Sequence, residues 1–182
     1  MTIARLLVIV VCLAVSVSAH VPSYERSDWK HWTDADGDCQ TARDEVLIAQ
    51  SAGPVTFRDR RQCRVDTGQW RDPYSGFTYT KAEDVDIDHV VPLKWAHDHG
   101  GWSWPSAKKA QYANSLEAGH LLVVHRSINR AKGAKGPDLW QPRDRGDTCR
   151  YGRAWQAITA RWALALTWNE VAAITALLET CE

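Results

Sequence analysis

The sequence predicts an α+β fold, on three observations. Residues 84–88 alternate Asp84, Asp86 and Asp88 with Val85 and Ile87, the two-residue period of a half-buried strand. His120–His125 encloses Leu-Leu-Val-Val, a short apolar run that reads as a second strand. The C-terminal third carries Trp155, Ile158, Trp162 and Ala165, then Val171, Ile174, Leu177 and Leu178, at the three- and four-residue spacing of packed helices.

In chain order, residues 1–19 read as a secretory signal. One basic residue, Arg5, precedes an apolar core from Leu6 to Val17, and Val17-Ser-Ala19 suits cleavage after Ala19. That core is shorter than the roughly 20 residues a membrane span needs, and no later run is longer. A secreted or periplasmic protein with no membrane attachment is therefore expected, acting as a monomer. About 160 residues then remain, enough for one domain. Residues 20–37 read as an N-terminal arm and 38–182 as the domain proper. Losing Arg5 takes the basic count from 22 to 21 against 22 acidic side chains. Acidic groups gather between Asp28 and Asp88, whereas Arg126–Arg161 is basic, which suits a polyanionic partner. Taken alone, that basic segment reads equally as a solvated surface.

Cys12 leaves with the signal, and Cys39, Cys63, Cys149 and Cys181 remain. An even number in an exported chain points to two disulfides. Three pairings are open; Cys39–Cys63 and Cys149–Cys181 each close a local loop and are preferred. A zinc site from all four cysteines lacks a Cys-x-x-Cys pair.

The arm is expected to pack Trp29 and Trp32 onto the domain. Asp34-Ala-Asp36-Gly-Asp38, with Glu45 at the twelfth position, has the outline of a calcium loop. No helix is predicted before it, and calcium is not expected there. Thr41–Gln50 has helical spacing, with Ala42, Val46 and Ala49 on one face and Arg43 off it. Val55–Phe57 and Cys63–Val65 read as short strands, Asp72-Pro-Tyr-Ser-Gly76 as a turn, and Phe77–Tyr79 as a returning strand. Pro92, which lacks an N–H, ends the strand that starts at Asp84. Lys94–Gly100 reads as a short helix on which His97 and His99, two positions apart, share no face and count as surface residues. Ser106 reads as the cap of a helix reaching about Ser115. Arg126–Gly133 reads as a short basic helix and Gly152–Leu166 as a long one. Thr167-Trp-Asn-Glu170 is a capping box that starts the last helix, with Val171, Ile174, Leu177 and Leu178 turned inward. The last two helices form a hairpin, stapled by Cys149–Cys181.

The chemistry concentrates at Asp88-His89, a hard metal ligand beside an imidazole that titrates near neutral pH. Strict alternation aims the two at opposite faces, so both reach one phosphate only if the strand twists or breaks at His89. In a regular strand, Asp86 with Asp88 is the better ligand pair. Arg126 and Lys132 each lie three residues from Asn129, near its helical face, and are candidates for gripping phosphate; Arg130 is less well placed.

Asp88-His89-Val-Val-Pro-Leu93, the Leu-Leu-Val-Val strand, and Asn129 followed by Lys132-Gly133 resemble the HNH (ββα-metal) endonucleases. Cys39–Leu47, Asp72–Gly76 and Trp140–Pro142 extend the likeness to secreted bacterial nucleases related to the C-terminal domain of GmrSD-type restriction enzymes. The resemblance implies a ββα-metal core carrying additional helices. It implies His89 as general base and Asp88 and Asn129 as ligands of one divalent cation. Oxygen ligands with retained water favour Mg²⁺, with Mn²⁺ next. Arg43, otherwise a surface partner of Asp44 or Glu45, becomes a candidate phosphate contact. The implied reaction is cleavage of DNA, and of RNA as well, with little sequence specificity, leaving 5′-phosphate and 3′-hydroxyl ends. His120 departs from the pattern, because related sites usually carry Asn nine residues before the metal-binding Asn. It stands beside His89 as a candidate catalytic residue, either holding the loop that bears His89 or joining the metal shell, and the first role is preferred. The competing reading is a secreted protein that binds nucleic acid or glycan without cleaving it. A His-Glu-x-x-His metalloprotease motif is absent.

Overall fold

The strand at the centre of the chain forms, and its register is unbroken. Residues 21–181 are described by a computed structural model; the signal expected at 1–19 lies outside them. Val85–His89 (β4) pairs antiparallel with Leu121–His125 (β5), from Val85 opposite His125 to His89 opposite Leu121. Side-chain alternation then sorts the hairpin. Val85, Ile87, Leu121 and Val123 face one apolar cluster, whereas Leu122 and Val124 face the other, beside Asp86 and Asp88.

The first cluster is covered by Ala42–Ala49 (α1) and by a separate antiparallel sheet of Thr56–Phe57 (β1), Val65–Arg71 (β2) and Thr78–Lys81 (β3). Two side chains of this layer secure the hairpin. The amide of Gln50 donates to Leu121 O at 2.7 Å and accepts from Val123 N at 3.0 Å, which satisfies the open edge of β5. Asp44, buried, accepts from Val65 N at 3.0 Å and ties α1 to β2. The strand expected at Cys63–Val65 instead begins at Val65 and runs to Arg71.

Opposite lie Leu93–Asp98 (α2), Ser106–Ala113 (α3), Arg126–Lys132 (α4), Thr148–Trp162 (α5) and Trp168–Leu178 (α6). Ser106 is the first residue of α3 and not its cap; Pro105 holds that position, with no side-chain bond. The capping box of α6 is present, with Thr167 and Glu170 bonding each other's backbone. Ile174 and Leu177 point inward as expected, but Val171 stays 42% exposed. His97 and His99 are not surface residues. His97 is buried, and its Nε2 donates to Pro22 O at 2.8 Å. His99 stacks on Trp95 at 3.6 Å and meets Glu170 at 3.1 Å.

Cys39–Cys63 and Cys149–Cys181 are both bonded. The second ties the first turn of α5 to the residues after α6, and so closes the helical hairpin. No helix among the described residues is long and apolar enough to cross a membrane.

Candidate active site

A cleft of about 340 Å³ brings Asp88, His89 and Asn129 to one surface. β4 supplies the first two and α4 the third. The strand does not break at His89, as alternation seemed to demand. His89 is its last residue, and Pro92 starts α2 three positions later, so the chain turns away and the ring borders the same opening as Asp88. A second cavity of about 350 Å³ lies between α5 and α6; it carries no ionisable side chain and hence no acid–base chemistry.

His89 is oriented by one bond. Its Nε2 lies 2.9 Å from Ala113 O, and because a carbonyl only accepts, Nε2 carries the proton. Nδ1 is thereby left with its lone pair, and no hydrogen bond to it is made among the described residues. Burial pushes the pKa of His89 down to about 3, so the imidazole is neutral throughout the neutral range. Tyr112 lies parallel to the ring at 6.5 Å and Trp32 lies 5.7 Å away.

His120 is held in the same way. Its Nε2 donates to Tyr112 O at 2.8 Å, and its own carbonyl accepts from Val90 N at 3.1 Å. The two histidines therefore hang from consecutive carbonyls at the C-terminal end of α3, groups that a helix leaves without internal partners. His120 lies 6.1 Å from His89, ring centre to ring centre, is 3% exposed, and does not border the cleft. Of the two roles expected for it, joining the metal shell is not matched by this position, which lies away from the cleft lining.

Asp88 is buried and its two oxygens are both engaged. Oδ2 accepts from Tyr74 Oη at 2.7 Å and Oδ1 from Lys132 Nζ at 2.9 Å. Burial raises the carboxyl pKa and lowers that of the ammonium, and each charge opposes the other's shift, as in a shared ion pair. Lys132 also donates to His89 O at 2.9 Å and is 0% exposed. It therefore cannot reach a substrate phosphate, and that expectation is withdrawn. The residue stands three positions from Asn129, on the same face, but that face points inward.

Asn129 donates through Nδ2 to Asp86 Oδ2 at 3.2 Å. Asp86 thus orients the amide, with Oδ1 left as an acceptor for the cleft. Among the other phosphate candidates, Arg43 is turned away: it donates to Ala82 O and Val85 O, both at 3.0 Å, and braces the start of β4. Arg126 braces the same segment through Glu83 O at 3.3 Å and does not border the cleft. Arg130 is exposed on α4 and lies outside the cleft lining.

The basic side chains that do border it are Arg26 and Lys94. Neither was singled out from the sequence, because Arg26 lies in an arm without periodicity and Lys94 in a short helix. A further group was visible only as a turn: Asp72, buried, accepts from Tyr74 N at 2.8 Å and His125 N at 3.2 Å, placing Tyr74 under Asp88 and fixing the start of α4.

The donor set fits a hard cation. Asn129 Oδ1 and the remaining lone pairs of Asp88 are oxygen donors, few enough that water would fill most positions, as Mg²⁺ prefers. Lys132 neutralises part of the local negative charge, which suits weak, exchangeable binding. Asp34, Asp36 and Asp38 also gather within 4.8 Å of one another, as an exposed acidic turn.

Residues 41–171 match the family of GmrSD restriction endonucleases, C-terminal domain. A protein of Arthroderma benhamiae described as an uncharacterized secreted protein is 37% identical over 158 residues, which span 87% of this chain and 76% of that one. No solved structure matches. With most of its length in that match, and with Asp88, His89 and Asn129 inside it, this chain belongs to the GmrSD restriction endonuclease C-terminal domain family.

Proposed function

We propose that the protein is a secreted, metal-dependent endonuclease of the HNH (ββα-metal) type, acting on DNA with little sequence specificity, RNA being the second candidate substrate. One observation carries the reading: a neutral imidazole with its Nδ1 lone pair available shares a cleft with a carboxylate and an amide oxygen suited to a divalent cation. β4 pairs antiparallel with β5 and α4 follows β5 directly, an arrangement compatible with a ββα unit in which α2 and α3 are inserted between the strands. Family membership supports a nucleic acid substrate. Two disulfides and the secreted description of the relative support export.

His89 takes the proton of the attacking water at Nδ1, while Ala113 O holds the opposite N–H in line. A substrate phosphate entering the cleft adds negative charge beside the ring and strengthens it as a base just when the proton must move. Such general-base assistance is typically worth about 10²–10⁴-fold. Asp88 and Asn129 would hold the cation, with Asp86 orienting Asn129 and with Tyr74 and Lys132 orienting Asp88. When bound, the cation offsets charge on the phosphoryl and leaving oxygens. Attack of the water at phosphorus breaks the bond to the 3′ oxygen, which leaves and takes a proton from solvent water, giving 5′-phosphate and 3′-hydroxyl ends.

The test is incubation of purified protein with supercoiled plasmid in Mg²⁺ or EDTA, beside His89→Ala. Metal-dependent nicking that the variant lacks supports the assignment. Equal nicking by both proteins moves the base elsewhere, and DNA retention without cleavage in Mg²⁺ or Mn²⁺ overturns the enzymatic reading.

A further inference from the structure

We infer that the N-terminal arm supplies a substrate-phosphate subsite to the cleft, with Arg26 as its principal contact and Lys94 of α2 beside it. The inference rests on the nuclease reading above, and its principal residue, Arg26, lies before the family match, which begins at residue 41.

Arg26 and Tyr24 border the same opening as Asp88, His89 and Asn129, on a segment far from them in sequence. The arm is held there by bonds to the domain. Trp29 is 0% exposed, packed against Trp104 and Tyr112 at 5.7 and 5.6 Å. Pro22 O accepts from His97, and Asn114 accepts from Thr33 N at 2.9 Å through Oδ1 and donates to Lys30 O at 2.8 Å through Nδ2. These contacts fall on α2, on the turn between α2 and α3, and on the end of α3 whose carbonyl orients His89.

The guanidinium is also positioned. His31 Nδ1 donates to Trp29 O at 2.9 Å, which leaves Nε2 as an acceptor, and Arg26 Nη2 meets that nitrogen at 3.3 Å. A buried tryptophan thus sets the backbone, the backbone sets the histidine tautomer, and the histidine takes one guanidinium N–H. Arginine carries five such donors, so the others remain for an anion. Lys94 adds a second cation, at present 2.6 Å from the exposed Asp98, a surface pair of the kind that exchanges at little cost. With Lys132 buried and Arg43 and Arg126 turned to the backbone, Arg26 and Lys94 are the strong cations among the described residues that line the cleft. Cations on the lip facing a proposed metal and base suit a phosphodiester flanking the one being cut.

The test measures cleavage of a fluorescein-labelled DNA duplex in Mg²⁺ at several salt concentrations, for the wild-type protein, Arg26→Gln, Arg26→Lys and Arg60→Gln, the last on an exposed loop away from the cleft. Arg26→Gln is expected to raise KM roughly tenfold, leave the Mg²⁺ requirement unchanged, and flatten the dependence of log KM on log salt by about one phosphate contact. Arg26→Lys recovers part of the loss, and Arg60→Gln behaves as wild type. A wild-type KM and salt slope in Arg26→Gln overturn the subsite while leaving the nuclease intact. Absence of cleavage by the wild-type protein itself overturns the nuclease reading and this inference with it.

Discussion

His89 and His120 donate to neighbouring carbonyls, Ala113 O at 2.9 Å and Tyr112 O at 2.8 Å, at the buried C-terminal end of α3. The consequence is mechanical. Whatever moves the end of α3 moves both rings, and His120 is tied to His89 through that helix end and through its own carbonyl, which holds Val90 N at 3.1 Å.

This arrangement makes a pH prediction. Burial pushes His120 down to about 4 from an unfolded value near 6.5. A histidine depressed in the folded state binds its proton more readily when unfolded. Its neutral form therefore costs nothing above pH 6.5, and stability falls as pH drops from there towards 4. His120→Asn, which can still donate to Tyr112 O, should keep cleavage activity and remove on the order of 3 kcal/mol of that acid loss. Urea midpoints at pH 7 and pH 4.5 for the two proteins measure it; parallel losses would show that His120 is not the group responsible.

Lys132 is predicted to matter for stability before it matters for substrate. Lys132→Met leaves Asp88 buried without its ammonium and should cost about 3–5 kcal/mol, read from denaturant unfolding. A variant of normal stability with only a raised KM would restore the phosphate-clamp role.

Asn129 and Asp86 should separate in a metal titration. Asn129→Ala removes a proposed ligand and should abolish cleavage at millimolar Mg²⁺ or demand far more of it. Asp86→Ala loosens the amide without removing its oxygen, and should raise the half-maximal Mg²⁺ concentration about 10–100-fold. An unchanged metal requirement in both variants would place the cation elsewhere.

The two disulfides close loops of separation 24 and 32. On chain-entropy grounds each contributes about 3–4 kcal/mol. Replacing Cys149 and Cys181 together by Ser should lower the thermal midpoint and loosen α5 and α6 first, with hydrogen exchange locating the change. The cleft lies on other elements, and the cleavage rate at 20 °C is expected to persist.

The sequence by itself determined the strand at Val85–His89, its partner Leu121–His125, the basic helix after it, and the capping box at Thr167. Each is written in a local period or a local pair of residues. Spacing also placed Asn129 and Lys132 on one helical face. What that face meets was decided only by the tertiary structure, because periodicity states how side chains are arranged around their own element and not what lies opposite. Lys132 finds Asp88 44 positions earlier, and the pairing turns a presumed substrate contact into a buried support. The same holds for Arg26, whose segment has no period at all and gains its position from Trp29 in the core and His31 at its side. His120 was legible as a departure from a pattern, but its role depended on which carbonyl it would meet. Long-range partners of buried polar groups are chosen by the fold, since only there does leaving one unpaired carry its full desolvation cost.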